Sequence, residues 1–287
     1  IRAPQDPFTD SGIIGTQYNV LMAKLEQSEK QKNKWKNRVS QEIKLAMDVQ
    51  KRLMPKRDLD NYPIYGLNIP AREISGDFYD FYLHDDEVYF TLSDVSGKGV
   101  NAGMVMAKAI TLFKIFARQK YKPNEILLEM NNDLKESNPA GTFVTSIVGR
   151  YNFKTDLVEV SNAGHQPVLV KNNKDFKEYA SSSMPLAVIK HKDENVYKLE
   201  KFNLNKGRIY CFTDGFSECM DENKKEIGIQ GVKELILKHQ NSSLKKELEN
   251  ATEEIRLKSS KKNLKEQGIK ENQDILDDDL TIIGIGR

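Results

Sequence analysis

Aspartates stand at the ends of four strand-like runs: Asp77 in Ser-Gly-Asp-Phe-Tyr-Asp, Asp94 in Leu-Ser-Asp-Val-Ser-Gly-Lys-Gly, Asp214 in Cys-Phe-Thr-Asp-Gly and Asp278 in Asp-Asp-Asp-Leu-Thr. A carboxylate at the tip of an apolar strand is costly to bury unless a cation or a hydrogen-bond donor compensates it. Several of them point to a shared metal. Aspartate oxygens are hard donors that suit magnesium and manganese, and a pair of such ions can activate water against a phosphoester. Taken singly, each aspartate reads as a turn former, because Asp next to glycine is ordinary turn chemistry. Four together in these contexts favour the metal.

To meet, these residues need elements that converge. From about Tyr18 to Leu53 neither proline nor glycine occurs, and Tyr18, Leu21, Leu25, Trp35, Val39, Ala46, Val49 and Leu53 fall on steps of three and four. That spacing predicts a long helix with a coiled-coil seam, interrupted at Ser28, Lys32 and Glu42 and ended by Pro55. The seam is expected to pair with its copy in a second subunit; the alternative is an amphipathic helix lying on the body of its own chain. Strands are expected at 77–83, 87–93, 145–151, 157–161, 168–171, 196–199, 208–213 and 280–285, with a hairpin at His84–Glu87. Helices are expected at 102–119, 124–135, 232–238 and 244–258, and a solvated loop at 258–271. Runs of strands separated by helix pairs make an α+β layered fold with antiparallel sheets. Strand alternation places Asp94 with Leu92 and Phe90, and Asp278 with Leu280 and Ile282, both towards an interior cleft.

The chain has 287 residues, with 44 basic and 42 acidic side chains and a formal charge of +2. No global field draws it to nucleic acid or anionic lipid. Two cysteines, Cys211 and Cys219, are too few for a disulfide scaffold or a thiolate metal site and fit a reducing cytoplasm. No uninterrupted apolar stretch approaches the roughly 18 residues of a membrane span.

Five segments in order carry a family resemblance: Pro70 to Asp80, Ser93 to Gly99, Asn-Ala-Gly-His-Gln-Pro at Asn162 to Pro167, Thr213 to Glu218, and Asp278 to Thr281. From about Ala46 to the C-terminus the chain resembles the PPM-type serine/threonine phosphatases, in the branch of the bacterial SpoIIE and RsbU phosphatases. The resemblance implies a four-layer α-β-β-α sandwich preceded by the long helix. It also implies two Mn²⁺ or Mg²⁺ ions bridged by Asp94, with the Val95 carbonyl, Asp214 and Asp278 on one ion and Asp77 on the other, directly or through water. Asp279 and Asn162 would sit behind these ligands, Asp279 orienting Asp278; Asn162 also reads as a turn former. The implied reaction is in-line attack of a metal-activated water on a phosphoserine or phosphothreonine, without a phosphoenzyme.

Arg72 stands where related eukaryotic enzymes place a phosphate-gripping arginine, although an arginine at a strand edge is as often a solvated charge. Those relatives carry a histidine two residues after the bridging aspartate; here that position is Ser96, which leaves the general acid unassigned. His165 reads as a structural histidine. Gly97 and Gly99 allow a tight passage beside the metal, Met104 and Met106 read as core, and Asp80 and Asp277 as solvated or turn-forming residues.

Asp10-Ser11-Gly12 through Leu21 is similar to the last helix of a HAMP linker. This divides the chain into a HAMP-like end (1–17), a helical linker (18–55) and the phosphatase domain (56–287), the cytoplasmic output of a signalling protein whose membrane segment would lie upstream. The implied substrate is a phosphorylated STAS-type anti-sigma-factor antagonist. The rivals are a pseudophosphatase that only docks a phosphorylated partner, favoured if a metal carboxylate were missing, and a structural transmitter in which the long helix is the working part. All four carboxylates are present.

Overall fold

The computed structural model describes residues 10–55, 62–138, 141–220, 225–267 and 276–286. The chain divides into two units, residues 1–48 and 49–287. The first is helix α1, which runs from Asp10 to Leu53 and whose last turn belongs to the second unit. It starts inside the HAMP-like stretch, whose first nine residues lie outside the described ones. Tyr18, Leu21, Leu25 and Trp35, four of the expected seam positions, are exposed along it.

The second unit holds two five-stranded antiparallel sheets. One contains β1 (Ile64–Ile69), β10 (Leu280–Ile285), β9 (Arg208–Phe212), β6 (Val168–Asn172) and β7 (Asp175–Tyr179), in that spatial order. The other contains β2 (Phe78–His84), β3 (Glu87–Val95), β4 (Val144–Asn152), β5 (Leu157–Ala163) and β8 (Glu200–Asn203). Residues that alternate along β3, namely Val88, Phe90 and Leu92, meet Cys211, Ile283 and Ile285 of the facing sheet in a dry inner layer. The opposite face of β2 and β3, with Phe78 and Tyr89, is covered by α2 (Val100–Arg118) and α3 (Pro123–Ser137). The outer face of the first sheet, with Tyr210, Phe212 and Ile282, is covered by α4 (Asp214–Ser217), α5 (Gly228–His239) and α6 (Leu244–Gln267). These are the four layers expected of the fold.

By length and composition α2 is apolar enough to cross a membrane. Ala102, Met106, Ala109, Ile110 and Phe113 are buried against the sheet, so its apolar character serves the core. Gly103 brings the helix close to its neighbours, since a Cβ there would lie 2.6 Å from Ile74 Cγ2.

Several expectations are corrected. The strand expected at 196–199 forms four residues later, at Glu200–Asn203, after a 3-10 turn at Glu194–Val196. β1 and the edge strand β7 were not anticipated. Helix α6 continues through the expected loop as far as Gln267, because neither glycine nor proline interrupts it before Gly268; residues 268–275 lie outside the described ones. Met106 is core, but Met104 is 69% exposed. Leu280 and Ile282 face the α5–α6 layer and not the space between the sheets, and Asp278 sits in the bend before β10, where strand alternation no longer applies. Asp80 is not solvated: it is 1% exposed, with Lys114 Nζ 3.1 Å from its Oδ2.

Candidate metal centre

The sheets bring the four aspartates to one end of the sandwich. Asp77 immediately precedes β2 and Asp94 is the next-to-last residue of β3, so the β2–β3 hairpin, in which Phe78 pairs with Ser93, sets the two side by side. Asp214 opens α4 directly after β9, and Asp278 precedes β10, which pairs with β9. Asp94 lies opposite Thr145 on β4, and Val95 is buried opposite Val144.

Asp94 is the electrostatic hub of the group. Its pKa is raised to about 7, first by burial, then by the negative charge of Asp214 and, less strongly, of Asp278 and Asp279. Asp77, 3% exposed, is raised well above the ordinary carboxylate range by burial and then by the charges of Asp94 and Asp279. Asp214 is raised by burial and by Asp278. Thr213 and Thr281 favour the charged form of Asp77, yet its Oδ2 has no partner at hydrogen-bonding distance.

A buried oxygen left without a partner is unusual enough to need a reason, and a cation supplies one. The residues fit a hard divalent ion. The donors are all oxygens, and Gly76 leaves room beside them, since a Cβ there would stand 2.9 Å from the Val95 carbonyl oxygen and 3.5 Å from Asp94 Oδ1. As they stand, no three acidic, histidine or cysteine side chains among the described residues converge on a single point as a finished ligand set. Asp278 is turned to Lys98, whose Nζ donates to its Oδ2 at 3.0 Å.

Behind the aspartates is a brace that sequence reasoning did not anticipate. Asp279 Oδ1 accepts from the Ala71 amide at 2.7 Å, and Oδ2 accepts from Ser75 Oγ at 2.7 Å and from the Gly76 amide at 3.0 Å. Its carboxylate therefore holds the segment leading into Asp77 rather than Asp278, which it meets only through its own amide, donated to Asp278 Oδ1 at 2.9 Å. Gln50, on the last turn of α1, donates to the Ser75 carbonyl at 2.7 Å and accepts from the Ser75 amide at 3.1 Å. The signal for Asp279 was its place in a run of three aspartates entering an apolar strand; nothing in the sequence marked Gln50.

The remaining candidates divide by contact. Asn162 accepts from the His165 amide at 2.9 Å and donates to the Gln166 carbonyl at 2.9 Å, so its side chain is committed to the turn. His165 Nδ1 lies 2.7 Å from Thr145 Oγ1, and burial pulls the ring's pKa down to about 4, which leaves it neutral at pH 7. Ser96 pairs with Phe143 in both directions at 2.9 Å and ties down the loop after Asp94. Arg72 is exposed in the bend between β1 and β2, and among the described residues no ion pair holds it.

Comparison with known proteins bears on the family and the fold. The profile of the family described as Stage II sporulation protein E (SpoIIE) matches residues 84–287. The phosphoserine phosphatase RsbU of Bacillus subtilis strain 168 is 27% identical over 190 residues, which is 64% of this chain and 56% of RsbU, so the match spans little more than half of that relative. Among solved structures, the SiaA-PP2C domain of Pseudomonas aeruginosa aligns with a TM-score of 0.73 at 17% identity, covering 88% of this chain and 97% of that domain. RsbX in complex with magnesium aligns with a TM-score of 0.55 at 15% identity, covering 79% and 96% respectively. With a profile match over most of its length and the two-sheet architecture of these neighbours, the chain belongs to the SpoIIE family and has the PP2C phosphatase fold.

Proposed function

We propose that this protein is a metal-dependent phosphatase that removes phosphate from phosphoserine or phosphothreonine of a protein substrate. The observation that carries this is the position of Asp94 at the end of β3, where the β2–β3 hairpin sets it beside Asp77 and the charges of Asp214 and Asp278 reach it. A carboxylate so placed suits the bridge between two cations. Asp77, with its unpartnered buried oxygen, would hold one ion, and the Val95 carbonyl, Asp214 and Asp278 the other. When bound, a pair of Mn²⁺ or Mg²⁺ ions supplies positive charge for the phosphoryl oxygens and a water acidic enough to attack near neutral pH. RsbX, a structural neighbour, has been solved with magnesium.

The chain's own residues do the positioning. Asp279, Ser75 and Gln50 fix the segment that carries Asp77, and Ser96 fixes the loop after Asp94. A neutral His165 bonded to Thr145 holds the floor of the site and is not a proton donor at pH 7. Arg72, exposed in the bend between β1 and β2, would be the arginine that meets a substrate phosphate.

The RsbU relative is named a phosphoserine phosphatase. By that likeness the substrate is a phosphorylated STAS-type antagonist of an anti-sigma factor, and the domain is the cytoplasmic output of a signalling protein. The exposed seam of α1 supports a homodimer through that helix, because Leu21, Leu25 and Trp35 would otherwise stay in water. The test is Mn²⁺-dependent release of phosphate from p-nitrophenyl phosphate and from a phosphoserine protein. Activity that Asp94→Asn abolishes supports an enzyme. Silence with both Mn²⁺ and Mg²⁺ in the dimeric chain assigns the fold to phosphoprotein docking.

A further inference from the structure

Lys98 is the one basic side chain, among the described residues, that pairs with any of the four aspartates. Its Nζ lies 3.0 Å from Asp278 Oδ2 and donates to the Asp277 carbonyl at 3.1 Å, joining the loop after Asp94 to the bend before β10 across 180 residues of sequence. Both side chains are near two-fifths exposed, at 40% and 42%. Gly97 and Gly99, on either side, have φ of 94° and 83° and nothing within 4 Å of the place a Cβ would take. The lysine therefore rides on an uncrowded turn whose backbone glycine adopts readily.

We propose that Lys98 is an exchangeable counter-ion for Asp278, which a divalent cation must displace to gain that ligand, so that Lys98 sets the metal affinity of the site. This rests on the assignment of Asp278 as a metal ligand. A divalent ion binds a carboxylate oxygen at roughly 2.0–2.2 Å. An ammonium still 3.0 Å from the same oxygen would then face a like charge at close range, where repulsion is strong. The other oxygen, Oδ1, already accepts from the Asp279 amide at 2.9 Å, so a cation that takes Oδ2 competes with the ammonium for it, and the free energy of the pair is subtracted from metal binding. Lys98 also lowers the pKa of Asp214, which places its charge within reach of a second proposed ligand. The turn can release the lysine readily, because Lys98 is exposed and open space surrounds the place a Cβ would take at both flanking glycines.

The experiment is titration of the full chain with Mn²⁺ alone, following free Mn²⁺ by electron paramagnetic resonance and heat by calorimetry, with no substrate present. Half-exposed ion pairs are weak, so Lys98→Met is expected to tighten Mn²⁺ binding by about two- to fivefold. Lys98→Arg keeps the wild-type value, and added NaCl narrows the gap between wild type and Lys98→Met. In an Asp278→Asn background, where affinity is expected to fall at least about tenfold, Lys98→Met brings no gain. Unchanged or weaker Mn²⁺ binding by Lys98→Met overturns the exchange, as does an equal gain in the Asp278→Asn background, which would make Lys98 a general positive charge. If Asp278→Asn itself leaves Mn²⁺ binding unaltered, the ligand assignment fails and the exchange fails with it.

Discussion

Replacing Asp279 by asparagine tests whether the brace behind the site is structural capital for the whole domain. The carboxylate is 8% exposed and receives the Ala71 amide, the Ser75 hydroxyl and the Gly76 amide. Hydrogen bonds to a charged acceptor contribute about 1.5–3 kcal/mol each. Asparagine keeps one acceptor oxygen and turns an NH₂ group towards amides that can only donate, so one to two of the three bonds are lost. Relief of repulsion offsets part of this, since Asp279 raises the pKa of both Asp77 and Asp94. The net expectation is a loss of about 2–4 kcal/mol, which for a unit of this size lowers Tm by about 5–12 °C. Thermal and urea melts followed by circular dichroism in EDTA measure this without any contribution from bound metal. Asp279→Ala, which leaves the Ala71 and Gly76 amides without their acceptor and the Ser75 hydroxyl only the Asp77 carbonyl at 3.1 Å, should melt at or below the asparagine variant. A change under about 0.5 kcal/mol in both variants would refute the brace, because surface-like behaviour is incompatible with two amides that depend on this one group.

Gly76→Ala should cost about 1–3 kcal/mol of stability, as overpacking does, and weaken Mn²⁺ binding about tenfold or more, because the new Cβ meets the Val95 carbonyl at 2.9 Å; calorimetric titration beside a melt separates the two effects. Asp80, with its pKa raised to about 6 from 3.8 by burial against the pull of Lys114, binds its proton more tightly folded than unfolded. Its share of stability is therefore present at pH 4 and lost as pH rises through 6, by at most about 3 kcal/mol. Urea melts across this range should show wild type losing stability relative to Asp80→Asn as pH rises, and a difference independent of pH would contradict the assignment. Leu25→Asp combined with Val39→Asp should convert a dimer to a monomer by light scattering if the α1 seam pairs, with the catalytic unit still folded; an unchanged mass would place the dimer contact elsewhere or nowhere.

How much could be read in advance depended on whether side-chain pattern or backbone pairing specified an element. β3, β4 and β10 face a dry layer on at least one side, so their apolar runs announced them. β7, with the sequence Asp-Phe-Lys-Glu-Tyr, is an edge strand held by β6 alone and carries almost no buried surface, so its composition resembles a loop. β8 is likewise an edge, paired only with β5, and the apolar residues just before it drew the expectation forward by four positions. Gly66 hid β1: glycine weakens a strand signal, but here it makes room for the Tyr79 ring, which a Cβ would approach to 2.4 Å.

At the site, the aspartates were legible because charge at the end of an apolar run needs a reason. Their supports were not, because Gln50 and Ser75 are ordinary polar residues whose partners lie far off in sequence. Asp80 was misjudged for a related reason: its partner Lys114 comes from α2, and no local pattern reports an ion pair made across layers. Lys98 was passed over as part of a glycine turn, although a lone lysine four residues after Asp94, in a neighbourhood short of cations, was a usable signal.

The central claim is that Asp94 joins two cations gathered by residues from both sheets. Crystals grown with MnCl₂ and measured at the manganese absorption edge address it directly. Two anomalous peaks are expected to flank the Asp94 carboxylate, one reached by Asp77 and the other by Asp214, Asp278 and the Val95 carbonyl. Ordered Asp77, Asp94, Asp214 and Asp278 side chains with no anomalous density between them would contradict it.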